Sequence, residues 1–270
     1  MTAHEQWHMT REAAQAYERY VARYILGPWA PLLVDTARLA CGEHMLDLAC
    51  GTGVVARAAA KRLGPTGRIT AVDLNPGMID VARSLPAPEG APIEWQRASA
   101  LELPLADASI DAVLCQQGLQ FFPDAPLAMR EMRRVLRDGG RIALSVWNST
   151  GRYNAALGQA LRQTLGDELA SRFCASRRAP ARAELVRLAA DAGFADVDVR
   201  VSRITVRLPE LERFALQHLS ATPIAPEVAR ADASARARVG ASVRQQLAAF
   251  ADGEGAAYPE ETYVLTAWRR

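Results

Sequence analysis

A glycine-rich loop with an acid on either side is the part of this sequence best suited to chemistry. Gly51 and Gly53 follow a short apolar segment, and an alanine-rich stretch typical of a helix follows them directly. Glycines at such a junction let the backbone turn tightly and approach a ligand, while the first N–H groups of the helix are unpaired. Asp47 lies just before the loop, and Asp73 lies 20 residues after Gly53. This arrangement predicts a site for a nucleotide-like molecule.

Asp47 narrows the kind of nucleotide that this loop would bind. Gly51, Gly53 and Ala56 satisfy the G-x-G-x-x-G/A pattern of dinucleotide-binding folds, in which an acid near the position of Asp73 binds the ribose. A pyrophosphate beside Asp47 would be repelled, whereas a ligand with a cationic amino group and a sulfonium would be attracted. S-adenosylmethionine carries both charges, and we expect it as the ligand.

The elements that must position these residues alternate between strand and helix patterns, which predicts an α/β, doubly wound, Rossmann-like fold. Two later segments, near 196–207 and 262–268, bring the expected strand count to seven and the sheet is expected to be mostly parallel. The first five strands are predicted near 44–48, 68–73, 92–97, 110–115 and 141–147, with helices near 53–63, 76–85 and 124–137.

Outside this core the pattern is mainly helical. Residues 10–24 and Pro31–Leu39 indicate two helices of an N-terminal cap, and two further helical stretches interrupt the strand pattern. We expect these stretches to be insertions that form a lid over the carboxyl edge of the sheet. The predicted organisation is one domain over 1–270, with a cap at 1–40, a core at 43–147 and lid insertions at 148–180 and 209–255.

Four sequence motifs in a plausible order resemble those of the class I S-adenosylmethionine-dependent methyltransferases. The resemblance covers roughly residues 43–147 and is greatest to the small-molecule branch, which includes ubiquinone/menaquinone-biosynthesis-type methyltransferases. It implies an antiparallel last strand, methyl transfer, and S-adenosylhomocysteine as product. The motifs are LDLACGTG, AVDLNPGMIDVAR, ASALELPLADASIDAVLCQQGLQFF and MREMRRVLRDGGRIALSVW.

The resemblance also implies roles for single residues. Asp73 would accept both ribose hydroxyls, Leu74 and Met78 would pack against the adenine, and Gln116 would line the methionine side. Ser99 stands where family members often carry an acid, so its contact with the adenine is expected to be weaker or to come from a hydroxyl or backbone group. The expected cofactor-binding residues are Asp47, Ala49 (where a glycine often stands), Cys50, Gly51, Gly53, Asp73, Leu74, Met78, Ser99, Ala100 and Gln116.

The residues that would bind the methyl acceptor are harder to predict from the sequence than those that would bind the cofactor. The apolar content of the cap and the lid insertions, with Trp147 at a strand end, favours a small apolar or aromatic acceptor. His218 is a candidate general base, although a core or surface histidine is the commoner interpretation. One of Tyr17, Tyr20 and Tyr24 is expected to face the site. The acceptor atom (O, N or C) and the oligomeric state stay open.

Composition excludes several other classes. A formal charge of +2 gives no indication of nucleic-acid binding, and no apolar run is long enough to span a membrane. The polar N-terminus predicts no secretory signal and therefore a cytoplasmic protein. The cysteines are widely spaced, which favours isolated buried thiols over a disulfide scaffold or a zinc site. The H-E-x-x-H pattern at His4–His8 lies too close to the start of the chain to indicate a metal site.

Three alternatives to a methyltransferase remain open at this stage. The same motifs would serve a protein that binds S-adenosylmethionine as a sensor or scaffold, because they specify binding rather than turnover. A related fold that uses the cofactor in a non-methylating rearrangement is also compatible with them. An NAD(P)-dependent oxidoreductase would share the glycine loop, but the chain has no evident Tyr-x-x-x-Lys pattern.

Overall fold

An eight-stranded β-sheet forms the centre of the protein in a computed structural model, which describes residues 10–175 and 180–270. Strands β1 to β5 run parallel in the order β3-β2-β1-β4-β5, and β8 is antiparallel to both β5 and β6. The strands are β1 (His44–Leu48), β2 (Arg68–Asp73), β3 (Ile93–Arg97), β4 (Ile110–Gln116), β5 (Leu136–Trp147), β6 (Ala195–Leu208), β7 (Ala251–Asp252) and β8 (Gly255–Trp268). The predicted α/β fold and antiparallel last strand are confirmed, and the count rises from seven to eight because the two-residue β7 pairs with β8.

Helices cover both faces of the sheet and extend beyond its carboxyl edge. The first helix begins at Arg11 after Thr10, whose side-chain oxygen accepts the Ala13 N–H (3.2 Å). The helices are α1 (Arg11–Ala16), α2 (Ala30–Ala37), α3 (Val54–Leu63), α4 (Pro76–Ser84), α5 (Ala125–Val135), α6 (Arg152–Leu165), α7 (Asp167–Cys174), α8 (Arg182–Asp191), α9 (Leu211–Leu219), α10 (Ala225–Arg230) and α11 (Ala233–Gln246).

Side chains of the parallel strands alternate between two buried layers. In β1, Leu46 and Leu48 pack in the layer that includes α5 and α8, whereas Met45 packs with α2 and α3 on the other face. Because both faces are covered by helices, these strands are nearly continuous apolar runs. Each such aliphatic side chain contributes about 1.5–3 kcal/mol when fully buried.

Strand β5 begins earlier than the sequence pattern predicts. The sequence pattern predicts a helix to residue 137 and a strand only from residue 141, with Gly139-Gly140 in the connection, but Leu136 already pairs with Ile110 of β4. The two glycines lie within the strand, where the Gly139 N–H and the Gly140 carbonyl both bond to the Arg269 backbone (2.8 Å each). The left-handed φ of Gly139 (78°) therefore serves a strand irregularity instead of a turn.

The N-terminal helix changes character after its first turns. Residues Tyr17–Leu26 form a π-helical segment that continues α1 and ends at Gly27. A π-helix is wider than an α-helix and is found frequently at functional sites. Its buried face consists of Val21, Ala22 and Ile25.

A separate apolar cluster joins this segment to the helices that follow β5. Trp29 packs edge-on against Trp147 (6.1 Å between ring centroids), and Tyr24 packs edge-on against Phe214 of α9 (5.7 Å). Residues from the predicted cap and from both predicted lid insertions thus share one core above the sheet. Over 10–175 and 180–270, no helix is long and apolar enough to cross a membrane.

Candidate functional site

The loop after β1 is wound tightly by residues in left-handed conformations. Ala49 (φ 55°), Gly51 (φ 54°) and Gly53 (φ 91°) occur within five residues. A Cβ on Gly53 would lie 2.2 Å from the indole of Trp95, so this position accepts only glycine without rearrangement. The Cys50 N–H donates to the Val72 carbonyl (3.0 Å), which fastens the loop to β2.

Arg57 supports the loop from the first turns of α3, a role that the sequence did not indicate. Its guanidinium donates to the carbonyls of Thr52 and Gly53 and, on its other nitrogen, to the carbonyl of Ala82 (2.7 Å). It also stacks over the Trp95 ring at 5.0 Å. Burial lowers the pKa of Arg57, but an arginine stays protonated at neutral pH.

Asp73 connects the end of β2 to the glycine loop. One carboxylate oxygen accepts the Gly51 N–H (2.8 Å) and the other accepts the Asn75 N–H (2.9 Å). Burial raises the pKa of Asp73, and these backbone donors oppose the rise. Each carboxylate oxygen can accept a second hydrogen bond, so the group can still bind hydroxyls of a ligand.

Asp47 lies behind the loop and not on the cavity wall. Its side chain is 1% exposed, and Oδ2 accepts the N–H of Ala56 in the first turn of α3 (2.9 Å). Burial, opposed by the Ala56 N–H and assisted by the charge of Asp73, raises the pKa of Asp47 to about 7. A cation placed near this carboxylate would therefore be strongly favoured.

A cavity of about 280 Å³ opens where the carboxyl ends of β1, β2, β4 and β5 meet. The strand order reverses between β1 and β4, the place where open α/β sheets bind ligands. Of the predicted cofactor-binding residues, Asp47, Cys50 and Gly53 do not line this cavity. Those that do are Ala49, Gly51, Asp73, Leu74, Met78, Ser99, Ala100 and Gln116.

The far side of the same cavity is formed by the cap and the lid insertions. Tyr17 is the predicted tyrosine that reaches the wall, where its hydroxyl lies close to Gly51. Burial raises the pKa of Tyr17, and the charge of Asp73 adds to this effect. Other lining residues of this side are Val21, Ile25, Trp147, Phe173, His218 and Ile224.

Ser99 lines the cavity, and its hydroxyl oxygen accepts a hydrogen bond from the backbone nearby. The Oγ atom accepts the N–H of Leu101 (3.1 Å), which stabilises a turn beyond β3. The Ala98 N–H donates to the Asp73 carbonyl (3.2 Å) and holds this segment beside the end of β2. The predicted contact of Ser99 with an adenine therefore stays a prediction.

Three glutamine side chains at the end of β4 and just after it line the cavity, and only the first was among the predicted site residues. Gln116 Nε2 donates to the Leu26 carbonyl (2.9 Å), and Gln117 Nε2 donates to Thr262 Oγ1 (3.0 Å). The amide oxygens of both are buried and have no hydrogen-bond partner among the described residues, and the same holds for both amide atoms of Gln120. An unpaired buried amide atom costs about 1–3 kcal/mol, so ligand atoms would relieve this cost.

His218 lies in the cavity wall, where its ring packs against aromatic side chains. Its ring stacks on Tyr153 (5.5 Å between centroids, 25° between planes), and its Nδ1 lies 3.1 Å from the Tyr153 hydroxyl. Phe173 contacts it edge-on at 5.7 Å. The sequence suggested His218 but gave no signal for Tyr153, which is 65 residues away.

The described residues contain no group of three or more His, Cys, Asp or Glu side chains arranged to hold a metal ion. The H-E-x-x-H pattern, His4–His8, lies outside them. Cys50 and Cys115 are buried free thiols, as expected, whereas the free thiol of Cys41 is exposed and that of Cys174 is partly exposed.

Comparison with known proteins agrees with this geometry. Residues 46–144 match the model of a methyltransferase domain family. The matched residues include the glycine loop and Asp73, so this part of the chain is a methyltransferase domain of the class I S-adenosylmethionine-dependent type. The predicted family and its S-adenosylmethionine cofactor are thereby confirmed for this domain, and the oxidoreductase alternative is not supported.

Two curated relatives are similar to about half of this chain. An uncharacterized protein of Mycobacterium tuberculosis is 34% identical over 137 residues, 51% of this chain and 49% of its own length. A 2-phytyl-1,4-naphtoquinone methyltransferase of Synechococcus elongatus is 35% identical over 118 residues, 43% of this chain and 51% of its own. The chain thus spans about half the length of the curated relatives it matches.

A solved structure extends the likeness in fold to nearly the whole chain. Phosphoethanolamine N-methyltransferase 2 of Haemonchus contortus, in complex with S-adenosyl-L-methionine, superposes with a TM-score of 0.61 at 18% identity. The match covers 96% of this chain and 57% of that protein.

Proposed function

We propose that this protein transfers the methyl group of S-adenosylmethionine to a small apolar or aromatic acceptor. One observation carries the proposal: a single cavity is lined on one side by the glycine loop and Asp73, and on the other by apolar and aromatic side chains of the cap and lid insertions. A donor and an acceptor bound in its two halves would meet within a largely apolar enclosure.

In the cofactor half, the chain offers groups that match the parts of S-adenosylmethionine. Asp73 is held by two backbone N–H donors with lone pairs left for ribose hydroxyls, and Leu74 and Met78 offer apolar surface for the adenine. Gly51 has no side chain between its backbone and the Tyr17 hydroxyl, which would lie 3.4 Å from an added Cβ, so a ligand can approach the backbone closely. Asp47 behind the loop favours the ligand's positive charge.

The bound cofactor supplies an activated methyl group, so the protein mainly aligns the acceptor and excludes water. The Trp147, Phe173 and Ile224 side chains would exclude water from the acceptor half. Where the acceptor is a hydroxyl or a protonated amine, a base must take its proton, and His218 is the candidate in the wall for that role. A more acidic acceptor would react without a base.

Binding and turnover need separate measurements, because a sensor or scaffold would share the cofactor half. Calorimetric titration with S-adenosylhomocysteine should give micromolar binding that Asp73→Ala abolishes. Asp80→Ala is the matched control, because Asp80 is an exposed carboxylate of α4, the helix that follows β2. Absence of binding to the wild-type protein would refute the cofactor assignment.

Turnover is measured as S-adenosylhomocysteine released with a panel of phenols, quinols, amines and carbon acids. Methylated product from an aromatic or apolar member is the expected result. Tight cofactor binding without product across all four acceptor classes would favour the sensor or the non-methylating alternative.

A further inference from the structure

The amide of Gln117 is held in one orientation by its hydrogen-bond partner. Thr262 Oγ1 lies 2.6 Å from the Val146 carbonyl, which can only accept, so the threonine hydroxyl donates its hydrogen there. The Gln117 group that faces Thr262 must then be a donor, which is the amide nitrogen (3.0 Å). The amide oxygen is consequently a fixed acceptor, without needing any choice between amide flips.

The Gln117 amide group lies on a different side of the cavity edge from the glycine loop. Across the carboxyl edge of the sheet, Asp73 ends β2, the glycine loop follows β1, and β4 lies between β1 and β5. Thr262 of β8 pairs with Trp147 at the end of β5, so the Gln117 amide nitrogen lies on the β5 side of β4, opposite to β1 and its glycine loop. Trp147 and Gln117 both line the cavity. Gln116 points elsewhere, toward the Leu26 carbonyl of the cap.

The backbone of Gln117 is also constrained in an unusual way. Its φ is 56°, a left-handed conformation that glutamine rarely adopts, and its N–H donates to the Ser145 carbonyl (2.9 Å). The residue is 5% exposed and lines the cavity, while Oε1 has no hydrogen-bond partner in the part of the chain that the structure describes. Strained residues with unpaired buried polar atoms concentrate where ligands complete the hydrogen bonding.

We propose that Gln117 selects the acceptor: its amide oxygen accepts a hydrogen bond from an O–H or N–H group of the molecule to be methylated. This inference rests on the proposed function and specifies its substrate class, namely an apolar acceptor that carries a hydrogen-bond donor. An ether or a hydrocarbon of the same shape would leave the oxygen unpaired and bind more weakly. An amide oxygen does not take the proton, so Gln117 orients the acceptor and is not a base.

The test compares an aromatic alcohol with its methyl ether, which lacks the O–H donor and carries one additional methyl group. Protein saturated with S-adenosylhomocysteine is titrated with 1-naphthol and with 1-methoxynaphthalene, and the ratio of the two dissociation constants is the readout. We expect a preference of about 10-fold for 1-naphthol, the effect of one well-placed hydrogen bond of about 1.4 kcal/mol. The ratio should fall to about one in Gln117→Met, which keeps the side-chain length without its polar atoms.

Two further variants make the comparison specific. Gln163→Met is the matched control, because Gln163 is exposed on α6, and it should keep the wild-type ratio. Thr262→Val removes the anchor and leaves Gln117 in place, so the ratio should fall while S-adenosylhomocysteine still binds. Should Gln117→Met fail to bind S-adenosylhomocysteine, Thr262→Val carries the same comparison.

Failure of this inference is distinguishable from failure of the proposed function. No binding of S-adenosylhomocysteine by the wild type would refute the proposed function itself. If it binds but the wild type shows no preference for 1-naphthol, or binds neither probe, the inference is overturned. A preference that survives both Gln117→Met and Thr262→Val overturns it as well.

Discussion

Cofactor affinity should fall at acidic pH, because Asp47 is protonated there. Burial raises the pKa of this carboxyl to about 7, and the Asp73 charge acts in the same direction against the Ala56 N–H. A ligand that carries an ammonium group favours the charged carboxylate, so ligand binding and loss of the proton promote each other. The affinity for the cofactor therefore rises with pH and becomes constant above the pKa that Asp47 has in the ligand-free protein.

The size of the effect follows from the two pKa values. If the bound cation returns the pKa of Asp47 from about 7 to an ordinary value near 4, affinity at pH 5.5 is about 30-fold below affinity at pH 8. At pH 7 about half a proton is released for each ligand bound. Titration calorimetry with S-adenosylhomocysteine, which keeps the ammonium group, measures both quantities when repeated in buffers of different ionisation enthalpy.

The control is Asp47→Asn, which keeps an oxygen for the Ala56 N–H but has no charge to titrate. Its affinity should be weaker at pH 8, and the part of the pH dependence that comes from Asp47 should disappear. The difference between the two proteins isolates this group from Asp73 and from histidines. Equal slopes in the wild type and the variant would refute the idea that Asp47 attracts the ligand's charge.

Other perturbations separate burial, backbone strain and proton transfer. Because the pKa of Asp47 is higher in the folded than in the unfolded protein, the free energy of unfolding should fall by about 4 kcal/mol as pH rises from about 4 through 7. Asp47→Asn has no charge to bury, so urea denaturation should show it to be more stable than the wild type at pH 8. Gly53→Ala should lower the free energy of unfolding by about 2–5 kcal/mol, and Gly139→Ala should lower it by only about 1–2 kcal/mol. Both glycines have left-handed backbone conformations, but only a Cβ at position 53 would clash with the Trp95 indole. Equal losses of stability in urea denaturation would contradict this. Once an acceptor is known, Tyr153→Phe should lower kcat about 10-fold and shift the pH–rate profile if His218 is the base; an unchanged profile would exclude that role.

The strands and the glycine loop were predictable because their signals are local. Apolar runs bounded by Gly, Pro and Asn marked β1, β2 and β4 to within about one residue. The start of β5 was wrong because Gly139-Gly140 has the composition of a turn, and only pairing with the distant Arg269 makes it part of a strand. Such pairing cannot be inferred from neighbouring residues.

The face of the N-terminal helix was harder to predict for a different reason. Tyr17 and Tyr24 both fit an α-helical apolar stripe, yet Tyr17 lines the cavity and Tyr24 packs against Phe214. The π-helical turns after residue 16 rotate later side chains away from the positions that an α-helix would give them. Periodicity alone therefore left the choice between the tyrosines open.

The contacts that the sequence did not reveal join residues far apart in the chain. Tyr153 and His218 are 65 residues apart, and Gln117 and Thr262 are 145 apart. Each pair depends on where whole elements lie in the sheet and the lid, whereas the loop from Asp47 to Gly53 depends mainly on its own backbone. This is the physical reason why the cofactor-binding residues can be predicted from a single sequence and the acceptor-binding residues cannot.

The same contrast indicates where acceptor specificity must come from. An apolar wall distinguishes ligands only weakly, at about 1–3 kcal/mol for each methylene, whereas a buried polar atom rejects a ligand that leaves it unpaired far more strongly. On the acceptor side of this cavity the wall is mostly apolar, and the buried oxygen of Gln117 is a fixed polar atom within it. A search for the acceptor should therefore vary the donor groups of small aromatic compounds before it varies their carbon skeleton.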